Sequence, residues 1–309
     1  MLIRPFPSVR MVLALTVVAT FSPRAPRAQT LYERAQAALR RDQVDSAWDL
    51  VRRAADAEPN RADVQFLFGN IACTKAGRAG FLSAYGLARK CKAGLARAVG
   101  LAPDSLPYLE GLASFLAQAP GLVGGDKDSA MRLAERVRAR DEVRGAFLLA
   151  GLWWSGNAAS KARSDSVVAA VADGHPDDQL VQLRAAEWWA RTLRPERALA
   201  VYERLAARQP TDGVARFFLG RQLVVMKREP RRAQEHLRFA AEADVPAPDT
   251  AGKRPTFTPG APWWRLGQSY EQLGMADSAR LCFEQALRVN PQLDVARQSL
   301  DSLSRRGDR

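Results

Sequence analysis

The sequence WWRLGQSYEQLGMADSARLCFEQALRVNP, which spans residues 263–291, decides the fold. The small residues Gly267 and Ala279 would let two antiparallel helices approach closely, because neither side chain holds the helix axes apart. Large side chains are needed to fill the space around such a contact, and the stretch supplies Trp263, Leu266, Tyr270 and Phe283. Pro291 ends the second helix, since the residue before a proline disfavours helical geometry. The stretch therefore predicts a tightly packed helix pair.

Parts of the same pattern recur upstream. Its second half returns with steps of four, three and five residues, as Ala47, Val51, Ala54 and Pro59 and again as Ala198, Tyr202, Leu205 and Pro210. Ala186 and Trp189 supply the first-helix positions of the latter unit. The tripeptide Asp-Ser-Ala also recurs, beginning at Asp45, Asp128 and Asp277. Such recurrence predicts a stack of similar helix pairs, each dependent on its neighbours for burial.

The spacing over residues 263–291 is W-x2-L-G-x2-Y-x8-A-x3-F-x2-A-x4-P, with every position filled. This pattern resembles the signature of the tetratricopeptide repeat (TPR) family, and the resemblance covers most of residues 31–291. It implies an all-α, right-handed superhelical solenoid of antiparallel helix pairs with a C-terminal capping helix. It also implies that partners bind in a concave groove lined by the first helix of each pair.

The pattern predicts seven helical hairpins and a last helix. The hairpins are expected at about 31–57, 62–101, 105–140, 143–173, 178–208, 212–243 and 261–289. The last helix, at about 292–305, carries one apolar stripe and one charged face, as the end of a solenoid requires.

Composition excludes several classes of protein. The chain has 309 residues, of which 47% are hydrophobic and 26% charged, which excludes wholesale disorder. Its apolar run at 11–21 is shorter than the roughly 20 residues of a spanning helix, so a polytopic membrane protein is excluded. Three cysteines are too few for a disulfide-dense scaffold.

Residues 1–28 predict a signal peptide. They contain four arginines and no acid around the apolar run, and Ala28 precedes Gln29 as a small residue at a cleavage site. Pro26 and the nearby arginines favour the alternative of an uncleaved anchor or basic tail. Cleavage would leave the solenoid at 29–309 and lower the net charge from +13 to +9. We expect a bacterial protein that is periplasmic or secreted, without an integral membrane span in its mature form.

Three segments depart from the 34-residue period of the family. The second hairpin is about ten residues longer, with an extended second helix over 81–101. The run at 119–127 resembles a Pro-Gly-Gly loop of some bacterial TPR proteins, and is predicted to be a turn with Asp126 or Asp128 capping the next helix. The segment 245–262 contains five prolines and two glycines. It forms either a surface excursion or a loop that folds over the groove and gates a ligand.

The three cysteines are predicted to be buried free thiols. With the second hairpin turn centred near 77–80, Cys73 and Cys91 would be offset by roughly 10 Å along the helix axes. That exceeds the limit of about 7 Å between the Cα atoms of a disulfide. Cys282 lies beside Phe283, a predicted core position.

No set of residues typical of catalysis or metal binding is present. The two histidines, His175 and His236, fall in different hairpins, and residues 175–178 are typical of a helix end followed by a helix start. Nucleophile and base combinations and histidine pairs at helical spacing are missing. The sequence therefore predicts a protein that is not an enzyme and that holds no cofactor and no metal.

The positive charge does not predict nucleic-acid binding. Arginines account for 39 of the 46 basic residues, but they alternate with acids along the helices, and no recognised nucleic-acid motif occurs. We expect a protein or peptide partner and no nucleic acid. The oligomeric state stays open.

Alignment on the signature predicts which residues face the concave groove. Trp264 is the strongest candidate, because Trp263 already fills the core position. Further residues expected on this face are Leu152, Val224 and Gln272. The candidate peptide- or ligand-binding residues are Leu148, Leu183, Glu187, Arg191, Phe217, Arg221, Trp264 and Gln268. Apolar residues with arginines suit a helix or extended segment that carries some acidic side chains.

Two functions fit these features. The first is a non-catalytic protein–protein interaction scaffold or adaptor of the bacterial cell envelope. The alternative is a periplasmic TPR protein that binds a small ligand, as a receptor or transporter-associated subunit.

Overall fold

A computed structural model describes residues 30–192, 194–243 and 256–307. The predicted signal peptide and residues 245–255 of the predicted loop lie outside this part of the chain. The described residues form fifteen α-helices and no strand. The helices are α1 Leu31–Arg40, α2 Val44–Ala57, α3 Ala62–Arg78, α4 Phe81–Leu101, α5 Leu106–Gln118, α6 Lys127–Arg138, α7 Glu142–Trp154, α8 Ala158–Gly174, α9 Gln179–Arg191, α10 Pro195–Arg208, α11 Gly213–Val225, α12 Pro230–Glu242, α13 Ala261–Gln272, α14 Ala276–Val289 and α15 Asp294–Gly307.

The helices stack in chain order. Each described helix packs against the helix before and after it, which gives seven consecutive pairs followed by α15. First helices of neighbouring pairs are also in contact. Examples are α5 with α7 and α11 with α13. The prediction of an all-α solenoid of helix pairs with a capping helix is confirmed, and the first helices form one continuous face.

Small residues set the closest contacts within the pairs. A Cβ atom built on Gly267 would lie 2.4 Å from Phe283 Cε1, so α13 and α14 approach as closely as they do because residue 267 has no side chain. Ala279 and Phe283 are fully buried in the same contact. Gly69 and Gly94 allow a similarly close approach of α3 and α4, since a Cβ on Gly94 would lie 2.8 Å from Gly69 N.

Short polar side chains begin many of the helices. Side-chain oxygens at the position before the helix accept a backbone N–H two or three residues on, which satisfies a donor that the helix leaves unpaired. The residues that cap in this way are Thr30, Asp126, Asp141, Asn157, Asp178 and Asp212. Asp126 caps α6 as predicted. Pro195 and Pro230 lie in the first turn of α10 and α12, where a proline costs no hydrogen bond.

The buried side chains join across pairs. One cluster runs from α1 to α6, and a second runs from α7 to α14. Tyr202 and Leu237, which are fully buried, belong to the second cluster although they lie on different pairs. Each pair therefore buries its apolar residues only when its neighbours are in place.

Many arginines bridge one pair to the next. Arg140 contacts Asp104, Arg208 contacts Asp177 at 2.8 Å, and Arg228 contacts Glu196 at 2.9 Å, each across 31 to 36 residues of sequence. The three arginine side chains are about half exposed and the three acidic ones are largely exposed, so each ion pair contributes about 0–1 kcal/mol. The alternation of arginines and acids noted in the sequence thus serves contacts between repeats.

The prediction of free thiols at Cys73 and Cys91 is wrong. The two residues form a disulfide, with their Cα atoms 5.1 Å apart. The register of α3 and α4 is set where Gly69 packs against the backbone of Cys91 and Leu95, so the first turns of α4 extend past the end of α3. Because of this overhang, Cys73 and Cys91 lie at the same height along the helix axes. In a hairpin centred on its turn, they would be offset.

Cys282 is a buried free thiol, as predicted. Burial raises its pKa to about 11, so the thiol stays protonated and poorly reactive at neutral pH.

We expect Gly267→Ala to destabilise the chain by about 1–3 kcal/mol, because the added methyl group must displace the fully buried Phe283 ring. The control is Gly151→Ala in α7, where an added Cβ meets nothing within 4 Å. That change should be neutral or stabilise by up to about 1 kcal/mol. Urea unfolding followed by circular dichroism measures both variants. Equal midpoints would contradict the close-packing role of Gly267.

Candidate functional site

A cleft of about 510 Å³ opens on the face formed by the first helices. Its lining residues come from α5, α7, α9 and α11, with Thr256 from the segment before α13. They are Glu110, Ser114, Arg144, Phe147, Leu148, Leu180, Leu183, Arg184, Glu187, Arg191, Phe218 and Thr256. The cleft thus spans four consecutive helix pairs and combines apolar side chains with charged ones.

One wall of the cleft carries a paired arginine. Arg144 on α7 donates to both carboxylate oxygens of Glu110 on α5, at 2.6 and 2.9 Å. This two-bond geometry is the strong form of an arginine–carboxylate contact. The hydrogen bonds that Arg144 donates to Glu110 raise the pKa of Arg144 above its ordinary value. Arg144 therefore has its charge balanced from within the protein.

A second paired arginine lies on the other side. Arg221 on α11 donates to Glu187 on α9, and Tyr202 Oη donates to the same carboxylate at 3.0 Å. The guanidinium also lies over the Phe218 ring, 4.7 Å from its centroid. Burial, followed by the charge of Glu187, raises the pKa of Tyr202, so its hydroxyl stays a donor. Glu187 is held on two sides and orders this end of the cleft.

Unlike Arg144 and Arg221, two further arginines of the cleft, Arg184 and Arg191, are not paired with a carboxylate of the described chain. Within the described residues, neither makes an ion pair or a side-chain hydrogen bond, and both side chains are exposed. Each lies near an aromatic ring: Arg184 is 5.9 Å from the centroid of Phe147 and Arg191 is 6.0 Å from that of Trp188. The cleft therefore presents two positive charges that no carboxylate of the described chain balances.

The described end of the predicted loop borders the cleft. Thr256 lines it, and the Phe257 ring packs on Phe217 with the centroids 4.5 Å apart. Phe217 is consequently buried in the core rather than open to the cleft. Its neighbour Phe218 takes the lining position.

Four of the eight predicted site residues come together in this cleft: Leu148, Leu183, Glu187 and Arg191. Arg221 adjoins them through Glu187. The other three, Phe217, Trp264 and Gln268, do not line the cleft. Phe217 is buried in the core, where it packs against Phe257.

Trp264 and Gln268 lie outside this cleft. Trp264 Nε1 donates to Ser299 Oγ of α15 at 3.1 Å, and its ring packs against the buried cluster that includes Phe283 and Leu303. The capping helix covers the position that a following repeat would cover. Gln268 accepts from Arg265 at 2.8 Å in a separate groove beside Val224. Burial, and then the nearby charge of Arg221, lower the pKa of Arg265 to about 10, which leaves it charged at neutral pH.

Part of the cleft lining is not among the residues predicted from the sequence. Arg184 could have been found from its spacing, since residues 180, 184, 187 and 191 follow one face of a helix. Glu110 and Arg144 are 34 residues apart, as are Glu187 and Arg221, so the repeat length itself points to both pairs. Thr256 carries no such signal, because it lies outside the repeats.

The described residues contain no cluster of three or more histidine, cysteine, aspartate or glutamate side chains able to hold a metal ion. His175 lies at the end of α8, where its Nδ1 is 3.0 Å from Val171 O. A search of the same residues finds no helix long and apolar enough to cross a membrane.

Comparison with known families matches residues 260–293 to the tetratricopeptide repeat model. This stretch is a tetratricopeptide repeat. The match covers the pair α13–α14, and the stacked helix pairs extend the same architecture through the described chain. TPR proteins are in general non-catalytic scaffolds that bind other proteins.

Solved structures share this fold. A tetratricopeptide repeat protein from Parabacteroides merdae is 12% identical, with 89% of this chain and 97% of that one covered and a TM-score of 0.50. A human IFIT1 dimer with PPP-AAAA is 16% identical over 90% of this chain and 63% of that one, also with a TM-score of 0.50. At these identities the likeness concerns the fold alone. The comparison with curated proteins gives no match.

We expect Arg221→Gln to destabilise the chain by about 1–2 kcal/mol, because it leaves the partly buried Glu187 carboxylate without its cation. The matched change Arg228→Gln removes an exposed pair with Glu196 and should cost under about 0.5 kcal/mol. Urea unfolding of both variants compares the two ion pairs. Equal losses would show that the Arg221 network does not order the cleft.

Proposed function

We propose that this TPR protein is a non-catalytic interaction scaffold or adaptor whose cleft binds an acidic, partly apolar segment of a protein partner. The observation that carries the proposal is the difference among the cleft arginines. Arg144 and Arg221 are balanced by glutamates, whereas Arg184 and Arg191 are not balanced within the described chain. Unbalanced, weakly hydrated guanidinium groups at the edge of apolar surface favour carboxylates.

The spacing of these two charges favours a helical ligand. Arg184 and Arg191 lie two turns apart on α9, which separates them by about 10 Å along the helix axis. Leu180 and Leu183 lie on the same helix and also line the cleft. An amphipathic helix with acids seven residues apart and leucines between them matches both features.

We also propose that the partner is not a nucleic acid. The positive charge of the described cleft is partly cancelled by Glu110 and Glu187, and many other arginines are used in contacts between repeats. A nucleic-acid footprint would instead require a stripe of unbalanced cations that tracks a phosphate backbone.

A small acidic ligand is the second candidate. The cleft volume of about 510 Å³ falls in the range of small-molecule sites, roughly 300–1,000 Å³. The ring of Trp188 near Arg191 would report such a ligand through its fluorescence. Saturable quenching by small dicarboxylates, without any binding of an acidic helix, would favour this second function.

We expect the peptide Glu-Ala-Ala-Leu-Leu-Ala-Ala-Glu, extended by alanines and labelled at one end, to bind the full chain. Fluorescence anisotropy measures the affinity, and Arg184→Glu with Arg191→Glu should weaken it at least about tenfold, since two attractive contacts become repulsive. The control is Arg163→Glu with Arg280→Glu, which reverses two exposed arginines outside the cleft. Arg163 also lies near a tryptophan ring, 5.8 Å from the centroid of Trp153.

Three outcomes would overturn the proposed ligand chemistry. They are no binding to the unaltered chain, equal binding of a peptide with lysines in place of both glutamates, and an equal loss in the control variant. Unfolding is monitored separately by circular dichroism, so a lost fold is not mistaken for lost recognition.

We further propose that the protein works in the cell envelope of a bacterium. Two features support export: the arginine-flanked apolar segment at 1–28, and the Cys73–Cys91 disulfide, which oxidising compartments favour. Protein isolated from the source cells should begin at Gln29, with Cys73 and Cys91 protected from alkylation until reduction. Mass spectrometry of its peptides tests both points. An intact N-terminus together with free thiols would contradict the localisation.

A further inference from the structure

Two departures from the regular repeat are in contact with each other. The lengthened helix α4 and the turn at 121–124 together line a surface cavity of about 560 Å³. The residues of α4 that line it are Tyr85, Arg89, Lys92, Ala93 and Ala96. None of them belongs to the cleft of the first helices, so the proposed function leaves this surface without a role.

The surface is basic. Helix α4 contains Arg89, Lys90, Lys92 and Arg97 and no acidic residue. Within the described residues, Arg89 and Lys92 form no ion pair, although Arg89 lies 6.0 Å from the Tyr85 ring centroid. The nearest acid along the chain from the turn is Asp126, whose carboxylate is used to cap α6 by accepting from Ser129 N at 3.0 Å.

The turn holds one leucine out into solvent. Leu122 is 78% exposed, the largest exposed fraction among the large apolar side chains of the described chain. Val123 N donates to Pro120 O at 3.0 Å, and Gly125 N donates to the same oxygen at 3.1 Å, so the backbone on both sides of the turn is fixed. Gly124 has a φ of +94°, which glycine adopts without strain.

The turn and the cations are in direct contact. A Cβ atom built on Gly124 would lie 2.6 Å from Lys92 Nζ, so the lysine side chain crosses the turn at that glycine. Tyr85 is 39% exposed at the overhanging end of α4. The surface therefore combines a projecting leucine, a half-exposed tyrosine and cations without acid partners.

We propose that this surface, formed by Tyr85, Arg89, Lys92 and the turn at 121–124, docks the protein onto an anionic lipid bilayer. Cations beside a bilayer attract its anionic headgroups, and tyrosine favours the boundary between water and hydrocarbon. Burial of the projecting leucine in the acyl region of a bilayer is favourable, because apolar surface leaves water. A ligand held in the cavity would leave that leucine exposed to water. A protein partner would have to supply a matching pocket for Leu122, which a bilayer provides at any point.

The test places an environment-sensitive fluorophore at the turn of the full chain. Leu122→Cys labelled with bimane should shift to the blue with vesicles of equal phosphatidylglycerol and phosphatidylcholine, and not with phosphatidylcholine alone. The matched control is labelled Leu281→Cys on α14, a position that is 62% exposed in the unaltered chain and far along the solenoid. Its emission should not change with either vesicle.

Removal of the cations then separates docking at this surface from attachment by the N-terminal segment. Arg89→Gln with Lys92→Gln, in the labelled Leu122→Cys chain, should raise the lipid concentration at half-maximal shift about tenfold. No shift at residue 122, an equal shift at residue 281, or a shift that ignores the two cations would each overturn the proposal. So would an equal shift with glycerol phosphate alone, because it would indicate a soluble anion as the ligand.

Discussion

Every helix pair in this chain has a face that only the next pair can cover. The constraint follows from geometry: two packed helices bury the side between them, but the apolar residues of their flanks stay in water until another pair is added. Contacts between pairs accordingly recur at about the repeat length. Arg144 meets Glu110 after 34 residues, Gln179 meets Asp212 after 33, and Trp264 meets Ser299 after 35. Equivalent positions of successive pairs are neighbours in space.

The end of the stack shows the same constraint. Within the described chain, α13 and α14 are followed by α15, which packs against α14 and accepts a hydrogen bond from Trp264 at Ser299. The opposite face of α15 carries exposed Arg297, Gln298 and Asp301, which tolerate water. A tryptophan that looks available in the sequence is therefore part of the closure of the solenoid. In a repeat protein, the role of a residue depends on which pair comes next.

The fold could be predicted from the sequence because the signature residues act locally. Gly267, Ala279 and Phe283 meet within one hairpin, and a local spacing suffices to place them. The disulfide could not be predicted, because the register of α3 and α4 is set by contacts at Gly69 and Gly94, far from their turn.

The candidate site could be predicted only in part, because some of its contacts join residues far apart in the sequence. The family alignment predicts which face of each first helix lies in the groove, and Leu183, Glu187 and Arg191 from that face line the cleft. It could not show that Phe257 covers Phe217, since that contact depends on a segment outside the repeats. Nor could it show which arginines already have carboxylate partners, because each partner lies on another pair.

The paired arginines matter for recognition as much as the unpaired ones. A ligand carboxylate that approached Arg144 or Arg221 would compete with a glutamate already held at hydrogen-bonding distance, and the displaced glutamate would be left without its partner. The same carboxylate at Arg184 or Arg191 would displace no carboxylate of the described chain. For the proposed acidic ligand, the four arginines in or beside the cleft would thus offer two points of attachment, and the two glutamates would determine where it sits. The bilayer surface proposed at α4 shares no lining residue with this cleft.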